Sequence, residues 1–152
     1  MEKEIKTVME MDIVYKPSPS ILQSAKLSSS LAAHKFILPA FNLDTIACQE
    51  EFIVAYINRA NYPLGVYKMG KGGMSGTVAD IRLILSVALK CFASGIIVSH
   101  NHPSGTLQPS IQDKEITKQL KAACELMEIP LLDHIIVSPF DGYYSFADSG
   151  LL

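Results

Sequence analysis

The sequence predicts a single layered α/β domain in which helices flank a mixed central β-sheet. Segments rich in β-branched residues alternate along the chain with segments whose apolar residues recur at helical spacing. The chain has 152 residues, of which 49% are hydrophobic and 18% charged, a composition typical of one globular domain. Its length and pattern therefore favour one domain over two.

The first half of the chain predicts one short helix and a hairpin. Residues 11–15 could form a first strand before two prolines interrupt regular structure. The serines at 28–30 can cap a short helix, which Pro39 would stop. Residues 50–58 are rich in β-branched and aromatic residues and apolar on both faces, which predicts a central strand covered on both sides. Turn residues follow, so residues 66–69 should return as its hairpin partner.

The second half alternates helices with strands. Helical spacing of apolar residues predicts helices over about residues 77–93 and 111–127, with Met127 on the inner face of the second. Short apolar or aromatic runs next to turn residues predict strands over residues 96–98, 131–137 and 143–146. The glycines between residues 70 and 76 favour a flexible connection, because this loop lacks the Lys-Ser/Thr ending of a phosphate-binding loop.

Charge and cysteine content narrow the function classes. The net charge is −2 with no run of like charge, so we expect no strong nucleic-acid binding. The chain has no segment of eighteen apolar residues and no hydrophobic leader, so we expect neither export nor a membrane span. Cys48, Cys91 and Cys124 are odd in number and lie in apolar runs, which predicts buried free thiols in the reducing cytoplasm.

The most informative spacing is that of two histidines and an aspartate. His100 and His102 lie at the end of a predicted strand, and Asp113 follows after ten intervening residues. Imidazoles two residues apart project to one side of an extended segment, and a Pro/Gly loop can return the carboxylate as a third ligand. Three protein ligands leave a fourth position for water, as in catalytic zinc sites. The spacing therefore predicts a Zn²⁺ cofactor.

These residues also have ordinary structural interpretations. Ser110 followed by Asp113 is what a capped helix start looks like, with the acid in the first turn. A histidine on a strand is more often a hydrogen-bonded polar residue than a ligand. The combination of the histidine pair, the turn residues and the aspartate at its offset favours the metal site.

Zinc held in this way lowers the pKa of its bound water to about 7, which suits amide hydrolysis. Such a site also needs a carboxylate that takes up the proton of the water and delivers it to the leaving amine. Glu50 and Glu51 are the candidates, and alternation along the strand places them on opposite faces without indicating which one points at the metal. Ser110 could donate a hydrogen bond to the developing oxyanion.

A second histidine motif lies on the predicted strand 131–137. Asp133 and His134 could support the metal ligands from outside, or supply a further ligand. A histidine within an apolar strand is also frequently a hydrogen-bonded core residue, so both interpretations remain open.

These motifs resemble known proteins. The two histidines, Asp113, Ser110 and an upstream glutamate resemble the JAMM signature of the MPN/JAB metallopeptidase superfamily. Four segments more narrowly resemble the RadC family of bacterial proteins: His-Asn-His-Pro-Ser-Gly over residues 100–105, Pro-Ser-x-x-Asp over 109–113, Leu-Asp-His-Ile-Ile over 132–136 and Tyr-Ser-Phe over 144–146.

The resemblance implies a JAB/MPN fold of cytidine-deaminase-like architecture over residues 27–152, after a lead-in segment over residues 1–26. It implies three zinc ligands (His100, His102 and Asp113), an oxyanion helper (Ser110) and a catalytic glutamate (Glu50). The implied function is that of a zinc-dependent metallohydrolase, a peptidase or isopeptidase whose partner is a peptide or protein substrate.

Two alternatives remain. The chain could be a DNA-repair or mobile-element accessory protein, as the family name suggests. Full-length RadC-like proteins generally carry an amino-terminal helix-hairpin-helix region, however, and we expect no such region in this sequence. It could also be a non-catalytic interaction module in which zinc pins a loop. A homodimer is compatible with each of these functions.

Overall fold

The computed structural model describes residues 25–71 and 79–152. In these residues the strands are β1 (Glu51–Ile57), β2 (Pro63–Lys71), β3 (Gly95–Asn101), β4 (Leu131–Val137) and β5 (Tyr143–Ser145). The helices are α1 (Ser30–Ile37), α2 (Ile81–Lys90) and α3 (Ile111–Leu126), and a short 3-10 turn spans Leu38–Ala40. The predicted strand at residues 11–15 lies outside the described residues.

The strands form one mixed sheet in the order β2-β1-β3-β4-β5. β1 is antiparallel to β2 and β3, β3 and β4 are parallel, and β5 returns antiparallel to β4. Because β3 and β4 are parallel, their connection must cross over, and α3 makes that crossover. The predicted α/β class with a mixed central sheet is confirmed. One edge of the sheet therefore gathers the ends of β3 and β4 and the start of β1.

The sheet is covered on both faces. Phe52, Val54 and Tyr56 pack with residues of α2 and α3, on what we call the α2–α3 face. Ile53 and Ala55 pack with residues of α1, on the α1 face. Every residue of β1 is buried, as the doubly apolar sequence predicts. Alternate residues of each strand consequently belong to different cores.

Capping residues set the helix bounds. The Ser29 side chain accepts a hydrogen bond from the backbone of Ala32 at the start of α1, and Pro39 lies in the 3-10 turn after it. The expected start of the next helix near residue 77 is wrong, because the Asp80 side chain caps a helix that begins at Ile81. No helix among the described residues has the length and apolar character needed to cross a membrane.

Two burial expectations also fail. Met127 is 39% exposed, because α3 ends before it and the residue occupies the C-cap. Cys48 is exposed, because its segment forms turns that lie on the surface before β1, whereas Cys91 is half-buried and Cys124 buried. All three thiols are free, as predicted.

Candidate metal centre

Three side chains converge at the edge where β3 ends. The Nε2 atoms of His100 and His102 lie 2.9 Å apart. The Asp113 carboxylate lies 3.1 Å from Nε2 of His100 through Oδ1 and 3.4 Å from Nε2 of His102 through Oδ2. His100 is almost fully buried, while His102 and Asp113 are half-buried. The structure thus brings together the three residues that the spacing selected.

The loop between the histidines and α3 has a defined turn. The backbone N–H of His102 donates to the carbonyl of Val137, and the N–H of Gly105 donates to the carbonyl of His102. Gly105 has a φ of +81°, and a Cβ atom there would lie 2.6 Å from the ring of Phe140. Glycine suits this position, because the left-handed backbone disfavours a side chain and a Cβ atom would require the exposed Phe140 ring to move. This turn directs the chain back towards α3.

The start of α3 fixes the carboxylate. The N–H of Asp113 donates to Oγ of Ser110 at 3.0 Å, and the N–H of Ser110 donates to Oδ2 of Asp113 at 2.7 Å. This reciprocal pair is a capping box. The helix-start interpretation and the ligand geometry therefore coexist, because the cap orients the same carboxylate that faces the histidines.

The electrostatics of the cluster favour a cation. Burial alone would raise the pKa of Asp113, but the imidazoles of His100 and His102 beside its carboxylate outweigh burial and hold that pKa far below its usual range. The Asp113 carboxylate raises the pKa of His102 against the effect of burial, with smaller contributions from the Thr106 carbonyl and the charge of Glu50. Positive charge between these groups is thus stabilised.

The donor set fits zinc. Nδ1 of His102 lies 2.6 Å from the carbonyl oxygen of Thr106, which can only accept, so Nδ1 carries the hydrogen. Nε2 of His102 then presents its lone pair to the cluster. Two ligands about 2.0–2.1 Å from a tetrahedral zinc ion are roughly 3.3 Å apart, close to the separations found here. Two imidazoles and one carboxylate form a known donor set for catalytic zinc.

The two candidate glutamates differ in their surroundings. The ring of Phe52 stacks on His100, which marks the α2–α3 face as the side of the cluster. Glu50 comes just before β1, and its charge contributes to the raised pKa of His102. Glu51 is only 3% exposed, and its Oε1 accepts a hydrogen bond from the N–H of Asn42.

Asp133 and His134 are neighbours on β4, but only His134 contacts a residue of the cluster. Nε2 of His134 lies 2.8 Å from Nδ1 of His100, so His134 contacts a candidate ligand without being one. Asp133 accepts hydrogen bonds from the N–H groups of His134 and Ala147 and from the hydroxyl of Ser145. Asp133 therefore anchors the carboxyl-terminal segment and takes no part in the cluster.

The chain is similar to a known protein family. The family model of the RadC-like JAB domain matches residues 27–151. The chain belongs to this family. The JAB/MPN domain family includes metallohydrolases, and the His-His-Asp group of this RadC-like domain is a possible metal site.

Relatives of this RadC-like domain occur in several bacteria, under the name UPF0758 protein. One from Flavobacterium johnsoniae is 40% identical over 131 residues, covering 86% of this chain and 56% of the relative. One from Porphyromonas gingivalis is 38% identical over 136 residues, covering 90% and 59%. One from Streptococcus suis is 36% identical over 145 residues, covering 95% and 57%. The chain thus spans a little over half the length of these relatives, whose names state no activity.

Sequence reasoning missed two residues of this RadC-like domain. Asn101 accepts a hydrogen bond from the N–H of Glu51 and donates to the carbonyls of Ile46 and Gln49, so it fixes the segment that carries Glu50. Its signal is its position between the two histidines. The hydroxyl of Thr117 lies 2.6 Å from Nδ1 of His134, and its signal is its place four residues after Asp113 on one helix.

Proposed function

We propose that this RadC-like domain is a zinc-dependent metallohydrolase that cleaves a peptide or isopeptide bond. The observation that carries the proposal is the convergence of the two Nε2 atoms and the Asp113 carboxylate, and the charge of Glu50, which acts on His102, supports it. A cluster that served only to stabilise the fold would not require imidazole nitrogens and a carboxylate to converge on one point near a further acid.

His100, His102 and Asp113 would hold the metal. Zn²⁺, when bound, supplies Lewis acidity and brings the pKa of a coordinated water to about 7. The roles of the protein ligands are to fix the position of that charge and to leave one side of it open to substrate. The half-buried state of His102 and Asp113 provides this access.

Two side chains would handle protons and charge. Glu50 accepts the proton of the attacking water as general base, and delivers it to the leaving amine as general acid. Ser110 already accepts a hydrogen bond from the backbone of Asp113 through its oxygen, so its own hydrogen can be donated to the developing oxyanion. Capping the helix and stabilising the oxyanion are therefore compatible roles of one hydroxyl.

The test is metal content followed by turnover. Purified protein should contain about one zinc per chain by elemental analysis, and a His100→Ala, His102→Ala double variant should contain none. The matched control is His34→Ala, which removes an imidazole stacked on Tyr143 away from the cluster. Unchanged zinc in the double variant would disprove the site.

Turnover is then screened on peptide and isopeptide libraries, with chelated protein as control. Cleavage that requires zinc supports the hydrolase. A protein that holds zinc but cleaves no library member would instead favour the non-catalytic interaction module.

The proposed partner is a peptide or protein and not nucleic acid. The net charge of −2 offers few phosphate contacts, so binding to duplex DNA should be weak and strongly salt-dependent. A fluorescence-anisotropy titration at several salt concentrations measures this. A tight complex that persists at physiological salt would contradict the expectation and favour the DNA-associated accessory role.

A further inference from the structure

A chain of buried hydrogen bonds leads away from His100. Nδ1 of His100 lies 2.8 Å from Nε2 of His134, and Nδ1 of His134 lies 2.6 Å from the hydroxyl of Thr117. That hydroxyl in turn lies 2.5 Å from the backbone carbonyl of Asp113. All three relay side chains are at most 3% exposed. The relay therefore starts and ends at candidate metal ligands, since Asp113 supplies both a carboxylate and this carbonyl.

The donors in the relay can be assigned from chemistry. A carbonyl oxygen only accepts, and two oxygens 2.5 Å apart need a hydrogen between them, so the single hydroxyl hydrogen of Thr117 points at Asp113. Thr117 can then only accept from His134, so Nδ1 of His134 carries a hydrogen and its Nε2 has a lone pair. That lone pair accepts from Nδ1 of His100. Nε2 of His100 is thereby left with its lone pair facing the cluster.

We infer that His134 and Thr117 are positioning residues that hold His100 in the one tautomer able to bind a metal ion. The inference rests on the metal site within the proposed function and is independent of hydrolysis. It explains why a polar pair is buried behind the cluster, since an apolar pair would leave the tautomer of His100 unspecified.

The alternative tautomer would close the site. With its hydrogen on Nε2, His100 would donate to the Asp113 carboxylate 3.1 Å away and satisfy the cluster without any ion. Reaching that state requires both histidines to exchange their hydrogens and the hydroxyl of Thr117 to turn towards Nδ1 of His134. The Thr117 oxygen would then lie 2.5 Å from the Asp113 carbonyl oxygen with no hydrogen between them. Phe146 stacks on the His134 ring at a centroid distance of 4.7 Å, which also resists a ring flip. The relay thus favours the metal-ready arrangement.

The experiment measures zinc affinity in a Glu50→Gln background, by competition with a chromophoric chelator. Thr117→Val removes the hydroxyl at nearly constant shape, and His134→Leu removes the acceptor. Each should weaken zinc binding by about 10- to 100-fold, as losses of outer-shell partners of metal ligands do. Thr117→Ser and His134→Gln keep a hydroxyl and an acceptor, and should recover most of the affinity.

Ser99→Ala is the matched control. This substitution also removes a buried hydroxyl, in this case one on β3 that donates to the carbonyl of Ile135. Ser99 belongs to the opposite face of the sheet. It should leave zinc affinity unchanged. Equal losses in Thr117→Val and Ser99→Ala, in proteins with native circular dichroism, would overturn the inference, because general destabilisation would then explain both.

A second readout needs neither zinc nor activity. In metal-free protein at pH 9, nitrogen-15 chemical shifts of the imidazoles should show the hydrogen of His100 and of His134 on Nδ1. In Thr117→Val the His100 resonances should shift towards a mixture of tautomers. A hydrogen found on Nε2 of His100 in the unsubstituted protein would overturn the inference. An absence of cleavage with these results intact would contradict only the hydrolase.

Discussion

The two faces of the sheet bury polar groups in different ways at the same edge. On the α1 face, the carboxylates of Glu51 and Asp133 accept hydrogen bonds from backbone N–H groups of neighbouring segments. On the α2–α3 face, His100 and His134 share a hydrogen bond, and His100 contacts the Asp113 carboxylate. Neighbouring residues of one strand thus take part in networks of opposite kinds.

The difference indicates which buried polar groups carry function. A buried carboxylate surrounded by backbone donors is satisfied by the fold itself, and its role is to hold segments in place. Where imidazoles and a carboxylate face one another, most of the groups directed at the common point are acceptors. A cation at that point would therefore be stabilised. The two kinds of buried polar group therefore differ in what surrounds them, backbone donors on the α1 face and other side chains on the α2–α3 face.

The largest expected effect divides Glu50 from Glu51. Glu50→Gln keeps shape and zinc but removes the proton acceptor, so turnover on a zinc-dependent substrate should fall by roughly 100- to 10,000-fold. Glu51→Gln retains an oxygen for the N–H of Asn42 and should have a mild effect. Steady-state kinetics with zinc analysis of both variants provides the test. Intact turnover in Glu50→Gln, or its loss only in Glu51→Gln, would contradict the assignment.

The next effect concerns stability on the α1 face. Asp133→Ala leaves the N–H of Ala147 and the hydroxyl of Ser145 without their acceptor, which should lower the free energy of unfolding by about 1–3 kcal/mol. Zinc affinity should not change. Urea unfolding and chelator competition measure the two quantities, and Asp133→Asn serves as the conservative control. Loss of zinc without loss of stability would break the division between the faces.

The smallest effect is an opposite pH dependence of two aspartates in zinc-free protein. The histidines hold the pKa of Asp113 below its unfolded value of about 3.9, so its stabilisation is present above that value and is lost on acidification. Burial raises the pKa of Asp133, so its contribution is full below about pH 3.9 and declines as pH rises through the folded value.

Urea unfolding at pH 3 and pH 5 tests both trends. Relative to Asp113→Asn, the unsubstituted protein should gain free energy of unfolding between these two pH values. Relative to Asp133→Asn it should lose some. Parallel trends in the two comparisons would show that the aspartates do not differ as described.

Periodicity predicted most of the fold because packing on both faces follows it. The doubly apolar segment around β1 became a fully buried strand, and the helical spacing after Ser110 became α3. Helix ends and surface turns were less predictable. Asp80 begins α2 later than its apolar pattern suggested, and the turns before β1 expose Cys48 although its sequence context is apolar.

The sequence alone determined the identity of the three converging residues, because the spacing of His100, His102 and Asp113 needs only one strand end, one turn and one helix start. The different surroundings of Glu50 and Glu51 and the contact of His134 with His100 were decided by tertiary structure. Glu50 and Glu51 lie at the start of a strand that is apolar on both sides, so the local pattern does not show which of the two side chains faces the metal ligands. His134 meets His100 only through the parallel pairing of β3 with β4, whose register is set by a crossover helix and the packing of both cores.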